Sequence, residues 1–185
     1  MNVLIISSAS VNIDENYINI AKKISEFLAT RKCDLIFGAS HLSMMGVCYQ
    51  EFIKRNRQVY AFTNDAYVDE LPKIKEAKPI VLRTTFDLKK AMFEKSDLIV
   101  CLAGGIGTLS ELLSYIEERR INEKKTPIII YDENDFYKYL TLQLEQMKNE
   151  KFINDEIIKT FQIVNNFEEF KKIFNILSLK ESIII

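Results

Sequence analysis

A chain of 185 residues that is 48% hydrophobic can bury one sizeable core and is too short to argue for two domains. Its 25 Lys and Arg stand against 26 Asp and Glu, and a net charge of −1 excludes a global basic field for holding nucleic acid or an anionic membrane. Three cysteines, Cys33, Cys48 and Cys101, are odd in number and far apart; with neither a disulfide framework nor a C-x-x-C metal spacing, a reducing cytoplasm is the expected location.

The chain opens on a predicted strand, VLII at 3–6, which turns polar at Ser7 with no basic leader before it. No later stretch approaches the length of a membrane span, so no membrane partner is expected. Tyr17, Ala21, Ile24 and Leu28 then recur at helical spacing. Strand LIF at 35–37 leads into FGASHLSMMG, 37–46, and a helix expected from about Val47 to Asn56. Strand VYAF at 59–62 precedes the irregular stretch 63–79, read as a surface loop or a mobile flap. Strands IVL at 80–82 and LIVCL at 98–102 follow, and the second of these runs into CLAGGIGTLSEL, 101–112, and a helix over LSELLSYIEERR. Strand IIIY at 128–131, a helix carrying Phe136, Leu140, Leu144 and Met147, and a last helix carrying Phe170, Ile173, Phe174 and Leu177 complete the pattern. Short runs without polar alternation suit strands covered on both faces, and their alternation with helices predicts right-handed crossovers. The fold class is therefore α/β, a doubly wound and mostly parallel sheet with helices on both faces. One Rossmann-like domain is expected over 1–178, with an apolar tail over 179–185 that is disordered, an added edge strand or part of a dimer contact.

Average usage would give about 13 glycines in a chain of this length, roughly 7%. This one has 5, and all lie in two short segments: Gly38 and Gly46 in the first, Gly104, Gly105 and Gly107 in the second. Glycine destabilises ordered structure unless a positive φ or a close backbone approach demands it, so its concentration marks where a site is expected. The second segment joins a strand to a helix, where backbone N–H groups attract anions. It lacks the lysine of a triphosphate-binding loop, and the first strand is followed by SSAS rather than a dinucleotide fingerprint. A monophosphate fits best, with no metal and no cofactor. Thr108 to Glu111 also has the capping-box pattern, so Glu111 is either a helix cap or a chemical group. In the first segment Met44 and Met45 can be core filler, and His41, the only histidine, can be a solvated loop residue.

These motifs resemble those of the cytokinin riboside 5′-monophosphate phosphoribohydrolases, the LOG family, long mislabelled lysine decarboxylases. The signature P-G-G-x-G-T-x-x-E is similar to Ala103-Gly104-Gly105-Ile106-Gly107-Thr108-Leu109-Ser110-Glu111. A second, G-G-G-x-x-G-L-M-G, is similar to Gly38-Ala39-Ser40-His41-Leu42-Ser43-Met44-Met45-Gly46. The family's C-G-S-S after its first strand is echoed by Ile5-Ile6-Ser7-Ser8, and its late E-G-F-I-x-x-E resembles Glu150 to Glu156. The resemblance implies a Rossmann-like homodimer that hydrolyses the N-glycosidic bond of a nucleoside 5′-monophosphate to free base and ribose 5-phosphate, with no metal or cofactor. It implies catalytic roles for Glu111 and Lys89. Phosphate or nucleotide binding falls to Gly104, Gly105, Ile106, Gly107 and Thr108, and also to Ser8, Gly38, Met45 and Gly46. Leu88 stands at the position of a family arginine, Ala103 replaces the family proline, and Ala39 and Ser40 replace two glycines. Lysine cannot reproduce the fork of a guanidinium, so a non-catalytic nucleotide-binding module is the alternative. A lysine decarboxylase is not expected, because no pyridoxal-binding lysine motif is visible.

Overall fold

A computed structural model describes residues 1–181. Seven parallel strands form one sheet: β1 (Asn2–Ile6), β2 (Asp34–Phe37), β3 (Val59–Asn64), β4 (Lys78–Leu82), β5 (Leu98–Cys101), β6 (Ile128–Tyr131) and β7 (Phe161–Val164). Their spatial order is β4-β3-β2-β1-β5-β6-β7. The helices are α1 (Glu15–Thr30), α2 (Ser43–Ile53), α3 (Thr85–Lys95), α4 (Ile106–Ile121), α5 (Lys138–Asn149), α6 (Asp155–Ile158) and α7 (Phe167–Glu181). From β1 the chain winds outward to β4, then returns to place β5 beside β1, with Val3 opposite Leu98 and Ile6 opposite Cys101. The direction of winding reverses between β1 and β5, and such a reversal opens a crevice at the carboxyl ends of the two strands.

Both faces of the sheet are apolar, which is why the strands read as continuous hydrophobic runs. Along β1, Val3 and Ile5 join the core that α1, α2 and α7 cover, while Leu4 and Ile6 join the core shared with α3, α4 and α5. The helix spacings from Tyr17 to Leu28 and from Phe170 to Leu177 are the inward stripes of α1 and α7. Asp14 accepts from the N–H of Asn16 at the start of α1, and Thr84 accepts from the N–H of Asp87 at the start of α3.

The structure departs from the sequence reading at several elements. β7 lies outside the expected strands; it is four residues at the sheet edge, and the exposed Gln162 breaks its apolar run. α2 begins at Ser43 rather than Val47, because the N–H of Gly46 already donates to the carbonyl of Leu42. Phe136 lies before α5 and packs edge-on against Tyr17 and Tyr137. The stretch 63–79 is no free loop. It ends β3, makes 3-10 turns over Asp65–Lys73 and begins β4, and it is tied down by Glu70 to His41 and by Glu76 to the Tyr49 hydroxyl. The boundary expected at 178 falls inside α7, which runs through Glu181; the rest of the apolar tail, 182–185, lies outside the described residues.

Candidate active site

The turn after β1 and the first turn of α4 meet at the crevice between β1 and β5. Ser7, Ser8, Ala9 and Ser10 line one wall of a cleft of about 450 Å3; Gly105, Ile106, Gly107, Thr108 and Glu111 line the other, with Met45 at its edge. Three contacts fix the walls. The Thr108 hydroxyl donates to the carbonyl of Ser7 at 3.1 Å, the N–H of Met45 donates to the carbonyl of Ser8 at 3.2 Å, and the N–H of Ser10 donates to Ser8 Oγ at 3.0 Å.

None of the glycines adopts a positive φ among the described residues, so the glycine clustering has other causes. A Cβ on Gly104 would stand 2.1 Å from Thr108 Oγ1, so this position lets Thr108 seat against β1. Gly105 and Gly107 face open space, where a side chain would occupy the cleft instead. Gly105 is the N-cap of α4, with no side-chain cap, and the N–H of Leu109 makes the return bond to its carbonyl. The N–H groups of Ile106, Gly107 and Thr108 come before that bond and have no partner within the helix. They form the positive end of the helix dipole.

The capping-box reading of Thr108 and Glu111 does not form. Thr108 is three residues inside the helix and its hydroxyl is committed to Ser7. Glu111 is nearly one turn further in, half-buried, on the face that lines the cleft. Burial pushes its carboxyl up to about 7, a rise partly offset by the ammonium of Lys89. Lys89, on α3, does not line the cleft; its Nζ donates to Ser110 Oγ at 2.7 Å and to Ser114 Oγ at 3.4 Å, stapling α3 to α4 beside Glu111.

The site residues expected from the sequence therefore separate into those brought together and those set behind. Ser8, Met45, Gly105, Ile106, Gly107, Thr108 and Glu111 share the cleft, and Gly104 supports it from beneath. Gly38 packs under Met45, whose Cε would lie 2.9 Å from an added Cβ. Gly46 faces the carbonyl of His41 and a separate depression shared with Ser43 and Lys54. Met44 is core filler, whereas His41 pairs with Glu70 at 2.6 Å rather than standing free in solvent. Leu88, which the sequence resemblance sets against a family arginine, is 8% exposed and belongs to the core with Phe62 and Met92. Sequence reading passed over Ala9 and Ser10; their signal is a run of small residues directly after the first strand at the switch point. A larger cavity, of about 1160 Å3, lies elsewhere on the molecule, but the cleft at the carboxyl ends is the one that joins unpaired helix N–H groups to a carboxylate raised toward neutrality. Among the described residues no group of three or more His, Cys, Asp or Glu is placed to hold a metal, and no helix is long and apolar enough to cross a membrane.

Comparison with known proteins adds a second line. Residues 45–174 match the family model described as "Possible lysine decarboxylase". The cytokinin riboside 5′-monophosphate phosphoribohydrolase LOG5 of Arabidopsis thaliana is 24% identical over 156 residues, covering 84% of this chain and 68% of that protein. The cytokinin riboside 5′-monophosphate phosphoribohydrolase of Mycobacterium tuberculosis (strain ATCC 25618 / H37Rv) is 23% identical over 161 residues, 82% of each chain. Among solved structures, the molybdenum cofactor carrier protein of Chlamydomonas reinhardtii superposes with a TM-score of 0.69 at 13% identity, over 96% of this chain and 98% of that one. The molybdenum cofactor binding protein of Rippkaea orientalis gives 0.63 at 16% identity, over 100% of this chain and 96% of that one. At these identities the solved structures establish the shared fold.

Proposed function

This chain belongs to the LOG family, the group whose model is described as "Possible lysine decarboxylase", and on that premise we propose that it hydrolyses a nucleoside 5′-monophosphate of the AMP or modified-adenine type. The observation that carries the reading is the carboxyl of Glu111, raised to about 7, in the same cleft as the unpaired N–H groups of α4. The 5′-phosphate sits on the N–H groups of Ile106, Gly107 and Thr108, where Gly105 and Gly107 leave room for it. That places the ribose toward Glu111. As the bond from C1′ to the base nitrogen breaks, positive charge develops on the sugar; the Glu111 carboxylate stabilises it and accepts a proton from the attacking water. The water oxygen bonds to C1′, the base leaves with the bonding electron pair and takes a proton from solvent, Glu111 returns the proton of the attacking water to solvent, and ribose 5-phosphate remains. A carboxyl titrating near 7 suits a base that works at neutral pH. Lys89 helps hold Glu111 ionised through its charge while anchored on the α4 serines.

The test is incubation with a panel of nucleoside monophosphates, with released base detected by chromatography. AMP is expected to yield adenine; Glu111→Gln is expected to bind AMP and to turn over at least 100-fold more slowly, about 3 kcal/mol of transition-state stabilisation. Release undiminished in that variant overturns the role of Glu111.

One observation favours a second reading, a nucleotide-binding module without turnover. Leu88 puts an apolar, buried side chain where the family arginine stands, so no guanidinium reaches the cleft from that position. Tight AMP binding with no base released from any monophosphate selects this reading.

A homodimer belongs to the same proposal. Ile106, 82% exposed, and Leu113, one heptad on, share a face of α4, and Phe86 at the start of α3 is 69% exposed. A second copy covering this face brings the interface to the rim of the cleft. We also place the protein in the cytoplasm, where the three buried thiols stay reduced.

A further inference from the structure

The 1160 Å3 cleft lies at the other end of the sheet from Glu111. Its walls are the last turns of α4 and α5, the residues just before β6 and β7, and α6. Around it cations outnumber carboxylates six to three, in a chain whose net charge is −1. Two of those carboxylates are already used: Glu117 pairs with Arg120, and Asp155 pairs with Lys148 at 2.6 Å. The remaining cations, Arg119, Lys125, Lys151 and Lys159, face a single carboxylate, Glu156, and none of the four makes an ion pair among the described residues.

Arg119 is the fixed point of this cluster. Its Nε donates to the carbonyl of Lys125 at 3.4 Å and its Nη1 to the carbonyl of Lys159 at 3.2 Å, which aims the half-buried guanidinium without neutralising it. Burial also disfavours its charge, a cost that a bound anion would offset. Phe152, 78% exposed, lines the same cleft next to Lys151 in the chain. A rigid guanidinium suits the geometry of phosphate oxygens. Lysines arriving on separate segments suit an anion whose charge is spread over several groups.

We propose that this basic cleft binds a small oligophosphate anion, held by Arg119, Lys151 and Lys159. The shared chemistry is a chain of phosphates, from either an inorganic oligophosphate or a nucleoside polyphosphate whose base stacks on Phe152. The site is separate from the glycine-lined cleft, so it stands whether or not Glu111 is catalytic.

Calorimetry on the full chain at low salt tests it, with inorganic tripolyphosphate and ATP as probes. Both are expected to bind, and Lys151→Gln/Lys159→Gln is expected to weaken binding at least tenfold with the melting temperature unchanged. Lys22→Gln/Lys54→Gln, lysines bordering a different depression, is expected to leave it intact. Phe152→Ala separates the sources: weaker binding of ATP alone assigns a nucleotide, and equal binding of both probes assigns an inorganic oligophosphate. No binding of tripolyphosphate in the wild type, tripolyphosphate binding that survives Lys151→Gln/Lys159→Gln, or equal loss in the Lys22→Gln/Lys54→Gln variant overturns the proposal. Retention of single-stranded RNA in place of both probes overturns it as well, since the cleft would then serve a polymer.

Discussion

Ala39 and Ser43 hold φ angles of 52° and 50°, in the left-handed region where a Cβ costs about 1–2 kcal/mol. Both fall where the G-G-G-x-x-G-L-M-G pattern that this segment resembles has glycine, the residue that adopts such a φ without steric cost. Ser43 adds a hydroxyl buried with no hydrogen-bond partner among the described residues. Ser43→Gly relieves both costs and loses about 0.5–1 kcal/mol to glycine's freedom in the unfolded chain. The expected result is a higher melting temperature, by about 2–4 °C per kcal/mol for a domain of this size; a lower one contradicts the strain. Glu111 makes a second prediction at this scale. Its folded pKa of about 7 lies above the ordinary value of 4.5, so the native state holds the proton more tightly and stability falls as pH rises through that window. Glu111→Gln removes the cost of ionising the buried group. Its melting temperature is expected to exceed that of the wild type by more at pH 8 than at pH 5, by the equivalent of about 1–3 kcal/mol. A difference that does not vary with pH contradicts the buried, raised carboxyl.

At the scale of elements, the glycines of 104–107 serve two different ends, and a pair of substitutions separates them. Gly104→Ala drives a Cβ into Thr108 and unseats the start of α4 from β1, so the melting temperature is expected to fall. Gly107→Ala meets nothing in the folded chain and improves helix propensity by up to about 1 kcal/mol, so stability is expected to hold or rise while AMP binding weakens. Equal effects of both on stability and binding, measured by thermal melts and calorimetry, contradict this division. The sequence made this turn visible because its composition is abrupt: three glycines between an all-apolar strand and a helix. It also pointed to Ser8, Met45 and Glu111, which the fold gathers into one cleft. What it concealed depended on tertiary contacts. The pattern T-x-x-E reads as a cap until the helix is seen to start at Ile106 with Gly105 as its N-cap, and Lys89 reads as a cleft residue until Ser110 and Ser114 are seen to hold it. β7 and the 3-10 turns over Asp65–Lys73 were illegible for a similar reason, since pairing to β6 and the ties to His41 and Tyr49 stabilise segments with little pattern of their own.

For the whole molecule, one core on each face of a single sheet fixes the ends of β1 and β5 and leaves the crevice between them as the candidate site. The exposed apolar side chains of α3 and α4 beside that crevice predict a dimer, to be read as a mass of twice 21.6 kDa by light scattering at micromolar concentration. A monomeric mass there contradicts the assembly but leaves the cleft intact. The central claim is that α4 presents a monophosphate to Glu111, and base release from AMP tests it most directly. The wild type is expected to liberate adenine and ribose 5-phosphate in equal amounts, with Glu111→Gln folded, able to bind AMP and at least 100-fold slower. Folded wild-type protein that neither binds nor cleaves any monophosphate in the panel would contradict it.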